Sequence, residues 1–232
     1  MNSMAVTTEP ATVPSMPIEA TVAPDTTAAP EATIPDRVEP EAVAPETAPP
    51  EMPKPGRTPR PFTASDLDAV VDDGYRREII EGRLIVSPSP ISRHQKAVGR
   101  LYSLFDRYHS SGLSVLIAPL DWHPSTGESL QPDVMVIREE DYNPDGFQLG
   151  TPLLVVEVRS PSTAIYDETT KRSRYESLGV IDYWMIDPAA PSIVALHLAD
   201  GHYVEVGRAT GDESFQANSP FPVTIVPSDL IA

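Results

Sequence analysis

The sequence predicts an α/β domain in which a mixed β-sheet carries helices on its faces. An uninterrupted apolar segment runs into a turn at residues 153–161, as in a strand buried on both sides of a sheet. Residues 183–208 alternate apolar and polar side chains in three segments, which predicts a strand meander. Residues 92–109 have the apolar spacing of an amphipathic helix. Strands and helices in this order favour a mixed sheet covered by helices.

The composition excludes several classes of protein. The chain has 232 residues and no cysteine, so disulfides, thiolate catalysis and cysteine-based zinc sites are excluded. No apolar run approaches the roughly 18 residues of a membrane span, and the start of the chain has no apolar signal segment. We therefore expect a cytoplasmic protein with no membrane partner. The formal net charge of −17 argues against a nucleic-acid partner, because phosphate neutralisation requires a basic surface.

Residues 1–60 are predicted to be a disordered tail. They contain thirteen of the 27 prolines and no aromatic residue, so they cannot bury enough apolar surface to offset their chain entropy. Their nine acids and four bases give a net charge of 4 − 9 = −5, which leaves −17 + 5 = −12 for residues 61–232. This remainder is long enough for one domain with a full core. The acidic charge of the predicted domain is thus not explained by the tail.

The first half of the domain is predicted to contain two helices and a hairpin. Thr63 can cap a short helix that runs through Val71. Glu81-Gly82 separates two apolar segments, as the turn of a β-hairpin does. The predicted elements are a helix at 63–71, a hairpin at 77–86 and a helix at 92–109.

The second half is predicted to contain several strands and one further helix. Pro119 interrupts an apolar segment, which predicts one strand bent at this residue. Gly179 ends the helix that follows the buried strand. The predicted elements are the two parts of the bent strand at 113–118 and 120–123, a strand at 132–138, a polar loop at 139–151, a strand at 153–158, a helix at 165–178, strands at 183–187, 192–198 and 202–208, and a last strand at 221–226.

Two acids lie at the ends of predicted buried strands. Glu157 is near the end of its strand, and Asp133 is at the start of another. A buried carboxylate is costly unless it is ion-paired, hydrogen-bonded or bound to a cation. Two carboxylates on neighbouring strands are suitable ligands for a hard divalent cation. We therefore predict a magnesium site at Asp133 and Glu157; the alternative is that nearby amides satisfy both acids.

Several motifs occur in order along the predicted domain. They are REIIEG at 77–82, SPSP at 87–90 with RHQ at 93–95, APLDW at 118–122, QPDV at 131–134, VVEV at 155–158, DETTKRSRY at 167–175 and GVIDYWMIDP at 179–188. With these motifs, the chain from about residue 62 to the C-terminus resembles the Uma-two family of restriction endonucleases, within the restriction-endonuclease-like PD-(D/E)XK superfamily. The resemblance implies a restriction-endonuclease-like central mixed sheet flanked by helices, and DNA cleavage that depends on Mg²⁺, with Mn²⁺ as a substitute.

The resemblance also assigns roles to individual residues. Asp133 matches the acid of the PD motif, and Glu157 matches the acid of the (D/E)XK motif. By analogy with the superfamily, the carbonyl of Val158 is a third metal ligand. The lysine of the motif is replaced by Arg159, and Lys171 matches the lysine that the family supplies from the following helix. The roles of these two bases stay open: Lys171 could orient the attacking water while Arg159 holds a phosphate, or Lys171 could lie on a solvated helix face.

Other matched positions have weaker assignments. Glu78 matches an acidic position of the family that approaches the metal, and His94 and Gln95 match its RHQ block at the start of a helix, where anions bind. A capping or hydrogen-bonding role for the last two is the alternative. Tyr175 is expected to be a core residue, and Asp167 could pair with Lys171 across one helical turn.

Two functions follow from these observations. The first is a metal-dependent DNA endonuclease that acts as a homodimer and uses Asp133, Glu157 and Lys171. The second is a catalytically inactive nuclease-fold protein that acts as a binding or assembly module, which the acidic charge and the replaced lysine favour. Clustering of the basic residues on one face would favour the first function. A small-molecule hydrolase is disfavoured, because the chain has no GxSxG motif and no HExxH motif.

Overall fold

The computed structural model describes residues 60–67, 70, 74–160 and 167–232, without the side chains of residues 167 and 168. The predicted tail at 1–60 lies outside the described residues except for Arg60. The guanidinium of Arg60 makes an exposed ion pair with Asp66 at 2.5 Å.

Ten strands and two α-helices form the described part of the chain. The strands are β1 (Arg76–Ile80), β2 (Arg83–Ser87), β3 (Leu113–Ile117), β4 (Val134–Arg138), β5 (Leu154–Val158), β6 (Asp182–Asp187), β7 (Ser192–Ala199), β8 (His202–Thr210), β9 (Phe215–Ala217) and β10 (Val223–Ile225). The helices are α1 (Ser92–Tyr108) and α2 (Arg172–Ser177), with a π-helical turn at Asp167–Lys171 and 3₁₀ turns at Ala64–Asp66, Glu139–Asp141 and Pro227–Leu230.

The central sheet has six strands in the order β3-β4-β5-β6-β7-β8. The β5–β6 pair is parallel and the other pairs are antiparallel, so the predicted mixed sheet is confirmed. Val134 of β4 lies opposite Val156 of β5. Asp133 precedes Val134 and Glu157 follows Val156. Because the two strands are antiparallel, both acids come to the same end of the β4–β5 pair.

Apolar side chains cover both faces of the sheet. On one face, α1 buries Ala97, Leu101 and Phe105 against alternate residues of the central strands, together with β9 and β10. On the other face, Trp122 and Tyr175 belong to a second buried cluster that includes Val155 of β5. Glu157 shares this second face with Val155, because side chains alternate along a strand. A carboxylate is thereby placed beside an apolar core.

The predicted hairpin is confirmed as β1–β2. Glu81 and Gly82 form its turn with φ values of 50° and 73°, as two-residue hairpin turns require. A side chain at position 82 would bring its Cβ within 2.6 Å of Pro61 Cβ, so glycine is also required by packing. Backbone hydrogen bonds between Ile79 and Ser129, at 2.7 and 3.0 Å, attach the hairpin to the segment before β4. Side chains of β1 are thus brought to the start of β4.

Two predicted elements differ in the first part of the domain. The helix predicted at 63–71 is a 3₁₀ turn at Ala64–Asp66, and residues 68–69 and 71–73 lie outside the described residues. The second part of the predicted bent strand, 120–123, is not a strand. Trp122 makes only isolated bridges to Leu130 and Gln148 among the described residues. Pro119 has no N–H to continue a strand ladder, which explains why β3 ends before it.

Two further differences lie in the second part. The helix predicted at 165–178 begins within the described residues as the π-helical turn and continues as the short α2; residues 161–166 lie outside the described part. Strand β9 was not predicted, because its three residues carry too little pattern. The meander β6–β8 and the last strand are confirmed. None of the helices within the described ranges is both long and apolar enough to cross a membrane.

Candidate active site

The two acids predicted from the sequence lie in one buried cluster. Asp133 is 2 % exposed and Glu157 is 1 % exposed. Glu78 of β1 and Lys171 from the π-helical turn are also buried in this cluster. Four distant segments of the chain therefore bring three carboxylates and an ammonium together.

Asp133 is held by donors on both of its oxygens. Its Oδ2 accepts hydrogen bonds from the N–H of Val158 at 2.8 Å and from Nε2 of His94 at 3.1 Å. Its Oδ1 accepts one from Nη1 of Arg76 at 2.9 Å. Burial alone would raise the pKa of Asp133, but the His94 hydrogen bond and the charge of Arg76 outweigh it and hold the pKa below its usual range. Asp133 is thus a fixed carboxylate anion.

Glu157 is held from the side of the helical segment after β5. Its Oε1 accepts hydrogen bonds from Nζ of Lys171 at 3.0 Å and from the hydroxyl of Tyr175 at 2.7 Å. Lys171 and Tyr175 are four residues apart, one helical turn, so both can reach the same oxygen. Burial and the charge of Glu157 raise the pKa of Tyr175 well above its ordinary value. Tyr175 is therefore a hydrogen-bond donor to the carboxylate.

Glu78 is the third acid of the cluster. Its Oε1 accepts a hydrogen bond from the backbone N–H of Gln131 at 2.9 Å, two residues before Asp133. Its Oε2 lies 3.0 Å from Nζ of Lys171. The hairpin anchor at Ile79 fixes this position, since it sets the register of β1 against the segment before β4. Lys171 thus links Glu78 to Glu157.

Arg76 also enters the cluster, from the same face of β1 as Glu78. Its guanidinium lies 2.9 Å from Asp133, 3.5 Å from Glu78 and 4.0 Å from Glu157. The charges of these three acids raise the pKa of Arg76, although burial opposes this. With His94 neutral, three carboxylates and two cations give −3 + 2 = −1. The cluster is therefore almost neutral without any bound ion.

The donor set is suitable for a hard divalent cation. Three buried carboxylates offer the oxygen ligands that Mg²⁺ and Mn²⁺ prefer. Within the described ranges, however, no three His, Asp or Glu side chains form a ready metal site as they stand. The nitrogen atoms of Arg76 and Lys171 lie between the carboxylates instead. The three carboxylates fit a divalent ion once the side chain of Arg76 or of Lys171 has moved away from them.

A cavity of about 420 Å³ opens beside the cluster. It lies between the hairpin, the first turns of α1 and the segment before β4, and Arg76, His94, Gln95 and Asp133 are among its lining residues. Tyr75, at its rim, is 54 % exposed. Asp133 is therefore buried but borders a space that a ligand can enter.

The remaining predicted residues have different positions. Gln95 is exposed on α1 and lines the cavity without joining the acids. Arg159 makes an ion pair with Asp187 at 3.1 Å, at the end of β6. Val158 contacts the site through its backbone N–H, which donates to Asp133. That its carbonyl binds the metal stays a prediction. The predicted pairing of Asp167 with Lys171 involves a side chain outside the described part.

Three of the basic residues are engaged by acids. Arg76 and Lys171 lie within the acidic cluster, and Arg174 makes an ion pair with Glu128 at 2.5 Å. Arg76 was not predicted as a site residue, and Tyr175 was expected to be a core residue only. Arg76 could have been found from its spacing of two from Glu78, which puts both side chains on one face of a strand.

Comparison with solved structures supports the fold. The crystal structure of a "putative nuclease belonging to DUF820" from Anabaena variabilis ATCC 29413 superposes with a TM-score of 0.57 and 19% sequence identity, and the match covers 74% of this chain and 98% of that chain. At this identity the likeness shows the fold alone.

Comparison of the sequence identifies the family. No curated protein matches the chain. Residues 64–228 match the model of the Uma2 family, described as "putative restriction endonuclease". This family supports a nuclease function. Because the match spans most of the 232 residues, the protein belongs to the Uma2 family, and the resemblance inferred from the motifs is confirmed.

Proposed function

We propose that the protein is a metal-dependent endonuclease that hydrolyses phosphodiester bonds in DNA. The observation that carries the proposal is the buried group of three carboxylates around Arg76 and Lys171, of which Asp133 lines an open cavity. Structural acids are seldom brought together in this number, because their mutual repulsion must be offset by cations. In a hydrolytic site, the same three carboxylates would hold the catalytic cation.

Asp133 and Glu157 are the proposed ligands of Mg²⁺ or Mn²⁺, with Glu78 as an accessory ligand and the Val158 carbonyl as a further one. A bound divalent cation supplies Lewis acidity at a phosphoryl oxygen and makes water more acidic. The protein's own task is to hold the carboxylates as anions at fixed positions. The N–H of Val158 and the imidazole of His94 do this for Asp133.

Lys171 is the proposed catalytic lysine of the family motif, in place of Arg159. Its ammonium is 3.0 Å from both Glu78 and Glu157, so it has a fixed position beside the proposed ligands. We propose that it orients the attacking water and stabilises the negative charge that develops on the phosphate. Tyr175 donates to the same oxygen of Glu157 as Lys171 does, and it acts through Glu157 as a positioning residue.

The family assignment makes DNA the proposed substrate, and the cavity beside Asp133 is the proposed position of the scissile strand. A homodimer, in which two sites cut two strands, and a cytoplasmic location both stay predictions from the sequence.

An inactive binding module is the second candidate, and a specific observation favours it. Arg76 and Lys171 reduce the charge of the acidic cluster to −3 + 2 = −1 without an ion. A cluster of this kind could be purely structural. The two candidates differ in whether the carboxylates are needed for chemistry or only for folding.

The test is a cleavage assay with supercoiled plasmid and short single- and double-stranded oligonucleotides in Mg²⁺ or Mn²⁺. Asp133→Asn and Glu157→Gln should lower the cleavage rate at least about a hundredfold, since each removes a proposed ligand. Asp106→Asn, an exposed change of the same charge on α1, should cleave like the wild type. Full activity in either site variant would reject the proposed site. A folded wild-type protein that cleaves none of these substrates would favour the binding module.

A further inference from the structure

Arg76 is a half-buried arginine that makes few hydrogen bonds. A guanidinium has five N–H donors. Within the described residues, Nη1 donates to Asp133, whereas Nε and Nη2 are buried and make no hydrogen bond. The distances from Nη2 to Glu78 and Glu157 are 3.5 and 4.0 Å, so these two contacts are electrostatic. One hydrogen bond to Asp133 and the charges of the other two acids therefore hold the guanidinium in the cluster.

Lys171 is held in a different way. Its ammonium lies 3.0 Å from Glu78 and 3.0 Å from Glu157, and its side chain is 3 % exposed. The Arg76 side chain is 20 % exposed and borders the cavity beside Asp133. Arg76 therefore loses fewer short contacts than Lys171 would on leaving the acids, and the cavity lies next to it.

We infer that Arg76 occupies the place of a divalent cation in the metal-free protein, and that it moves into the adjoining cavity when the cation binds, where it holds a phosphate of the DNA. This inference rests on the proposed nuclease function and goes beyond it, because it assigns to Arg76 two alternating roles at the same site. In the first role Arg76 is a substitute cation, and in the second it is a substrate-binding residue.

The charge of the cluster favours an exchange. With Arg76 and Lys171 in place, the three carboxylates carry a net −1. A divalent cation added to this set gives −1 + 2 = +1, whereas one that replaces Arg76 gives −3 + 1 + 2 = 0. Excess charge in a buried site is costly. Replacement is therefore favoured over simple addition.

The cavity can receive the displaced guanidinium and a phosphate group. It has a volume of about 420 Å³, and Arg76 and Asp133 both line it. A guanidinium binds a phosphate through two parallel hydrogen bonds. Arg76 in the cavity would therefore lie between the acids and an entering DNA strand, where the otherwise acidic protein needs a positive charge.

The test measures Ca²⁺ binding by calorimetry on the full chain. Ca²⁺ is used because it binds oxygen ligands without supporting turnover in most magnesium sites. The variants are Arg76→Gln, which removes the competing charge, and Arg76→Lys, which keeps it. Arg77→Gln is the matched control, since it removes the same charge from the opposite face of β1.

Removal of the competing charge should tighten Ca²⁺ binding. For Arg76→Gln we expect a Kd at least about tenfold lower than that of Arg77→Gln. Arg76→Lys should stay within about threefold of the wild type, since the charge is still present. An equal or higher Kd for Arg76→Gln, or tightening by Arg76→Lys to the same degree, would overturn the exchange.

The second arm measures binding of a short fluorescent duplex in the presence of Ca²⁺. Arg76→Gln should weaken this binding relative to Arg77→Gln and reduce its salt slope by about 1, as expected for one lost phosphate contact. DNA affinity equal to that of Arg77→Gln would overturn the phosphate role.

Folding of the variant is informative too. If Arg76→Gln unfolds in EDTA and folds in Ca²⁺, the arginine and the ion are interchangeable, as proposed. If it is unfolded in both, Arg76 is a fixed structural cation and the exchange is wrong.

Failure of this inference can be told apart from failure of the proposed function. Cleavage by the wild type with an unchanged Ca²⁺ Kd in Arg76→Gln keeps the nuclease and rejects the exchange. A lower Kd without any cleavage keeps the cation exchange and rejects the nuclease.

Discussion

Replacement of Lys171 by methionine is the most informative change for the stability of the site. Methionine fills a similar volume without charge or donor. The variant removes the ammonium that lies 3.0 Å from both Glu78 and Glu157. It leaves Arg76 as the remaining cation among three buried carboxylates, so the net charge changes from −1 to −2 when His94 is neutral.

The expected loss is large. Removal of one partner from a buried ion pair costs about 3–5 kcal/mol, because the other charge stays buried without compensation. Total stabilities of single domains are about 5–15 kcal/mol, so the variant should lose a substantial fraction of its free energy of unfolding. For a domain of this size, each kcal/mol lowers Tm by about 2–4 °C, which gives a decrease of roughly 6–20 °C.

The assay is urea denaturation followed by circular dichroism at neutral pH in EDTA, with Tm measured in parallel. Lys96→Met is the matched control, because Lys96 is exposed on α1. A surface change of this kind should alter the free energy of unfolding by no more than about 0.5 kcal/mol. The difference between the two variants isolates the contribution of the buried position.

A loss below about 1 kcal/mol for Lys171→Met would refute the reasoning, because exposed ion pairs have this magnitude. Lys171 would then contribute no more than a surface lysine, and its buried contacts with the two acids would not exist in solution.

Three further predictions concern the surroundings of the site. Tyr175→Phe should lower the free energy of unfolding by about 1.5–3 kcal/mol, since the Tyr175 hydroxyl donates to a buried carboxylate at 2.7 Å. Tyr203→Phe is the control: it loses a hydrogen bond to a neutral carbonyl and should lower the free energy of unfolding by about 1 kcal/mol. The backbone N–H of Tyr203 lowers the pKa of Glu176, so this acid stabilises the fold above the unfolded pKa of about 4.3 and loses the effect as the pH falls. The stability difference between wild type and Glu176→Gln, measured by urea denaturation across pH, should therefore shrink as the pH falls below about 4.3 and disappear once the pH has passed the lowered pKa of Glu176; a difference that does not change with pH would contradict the assignment. Gly82→Ala should lower Tm, because its φ of 73° and the 2.6 Å approach of a Cβ to Pro61 both oppose a side chain, and an unchanged Tm would show that the hairpin turn relaxes.

Much of the fold could be predicted because the strands carry strong local patterns. The apolar segment of β5 and the alternation in β6 to β8 depend on side chains that are buried in the sheet, and these patterns are visible in the sequence. The turn at Glu81-Gly82 was predictable for the same reason, since few residues adopt positive φ.

The errors arise where tertiary contacts determine the local structure. Trp122 lies three residues after Pro119 and, among the residues that the structure describes, pairs only through isolated bridges, so the apolar segment there does not become a strand. Strand β9 is short and is stabilised by packing on its neighbours, which no local pattern reveals.

The residues of the site also divide into those that local sequence predicts and those that tertiary contacts determine. Asp133 and Glu157 could be predicted as neighbours because buried acids at strand ends are rare, and the structure places them at one edge of the β4–β5 pair. The spacing of Arg76 from Glu78 puts both side chains on one face of β1. The contact of Arg76 with all three acids could not be predicted, because it depends on how the hairpin packs through Ile79 onto the segment before β4. The packing of a separate hairpin is a long-range property of the fold.

The central claim is that the buried carboxylates form a divalent cation site. The measurement that tests it most directly is calorimetric titration of Ca²⁺ into wild type and Asp133→Asn, each mixed with a short DNA duplex. We predict saturable binding to the wild type that is lost in Asp133→Asn, because Asp133 supplies a fixed anionic oxygen to the site. Equal binding by both proteins, or no binding by either while both are folded, would contradict the claim.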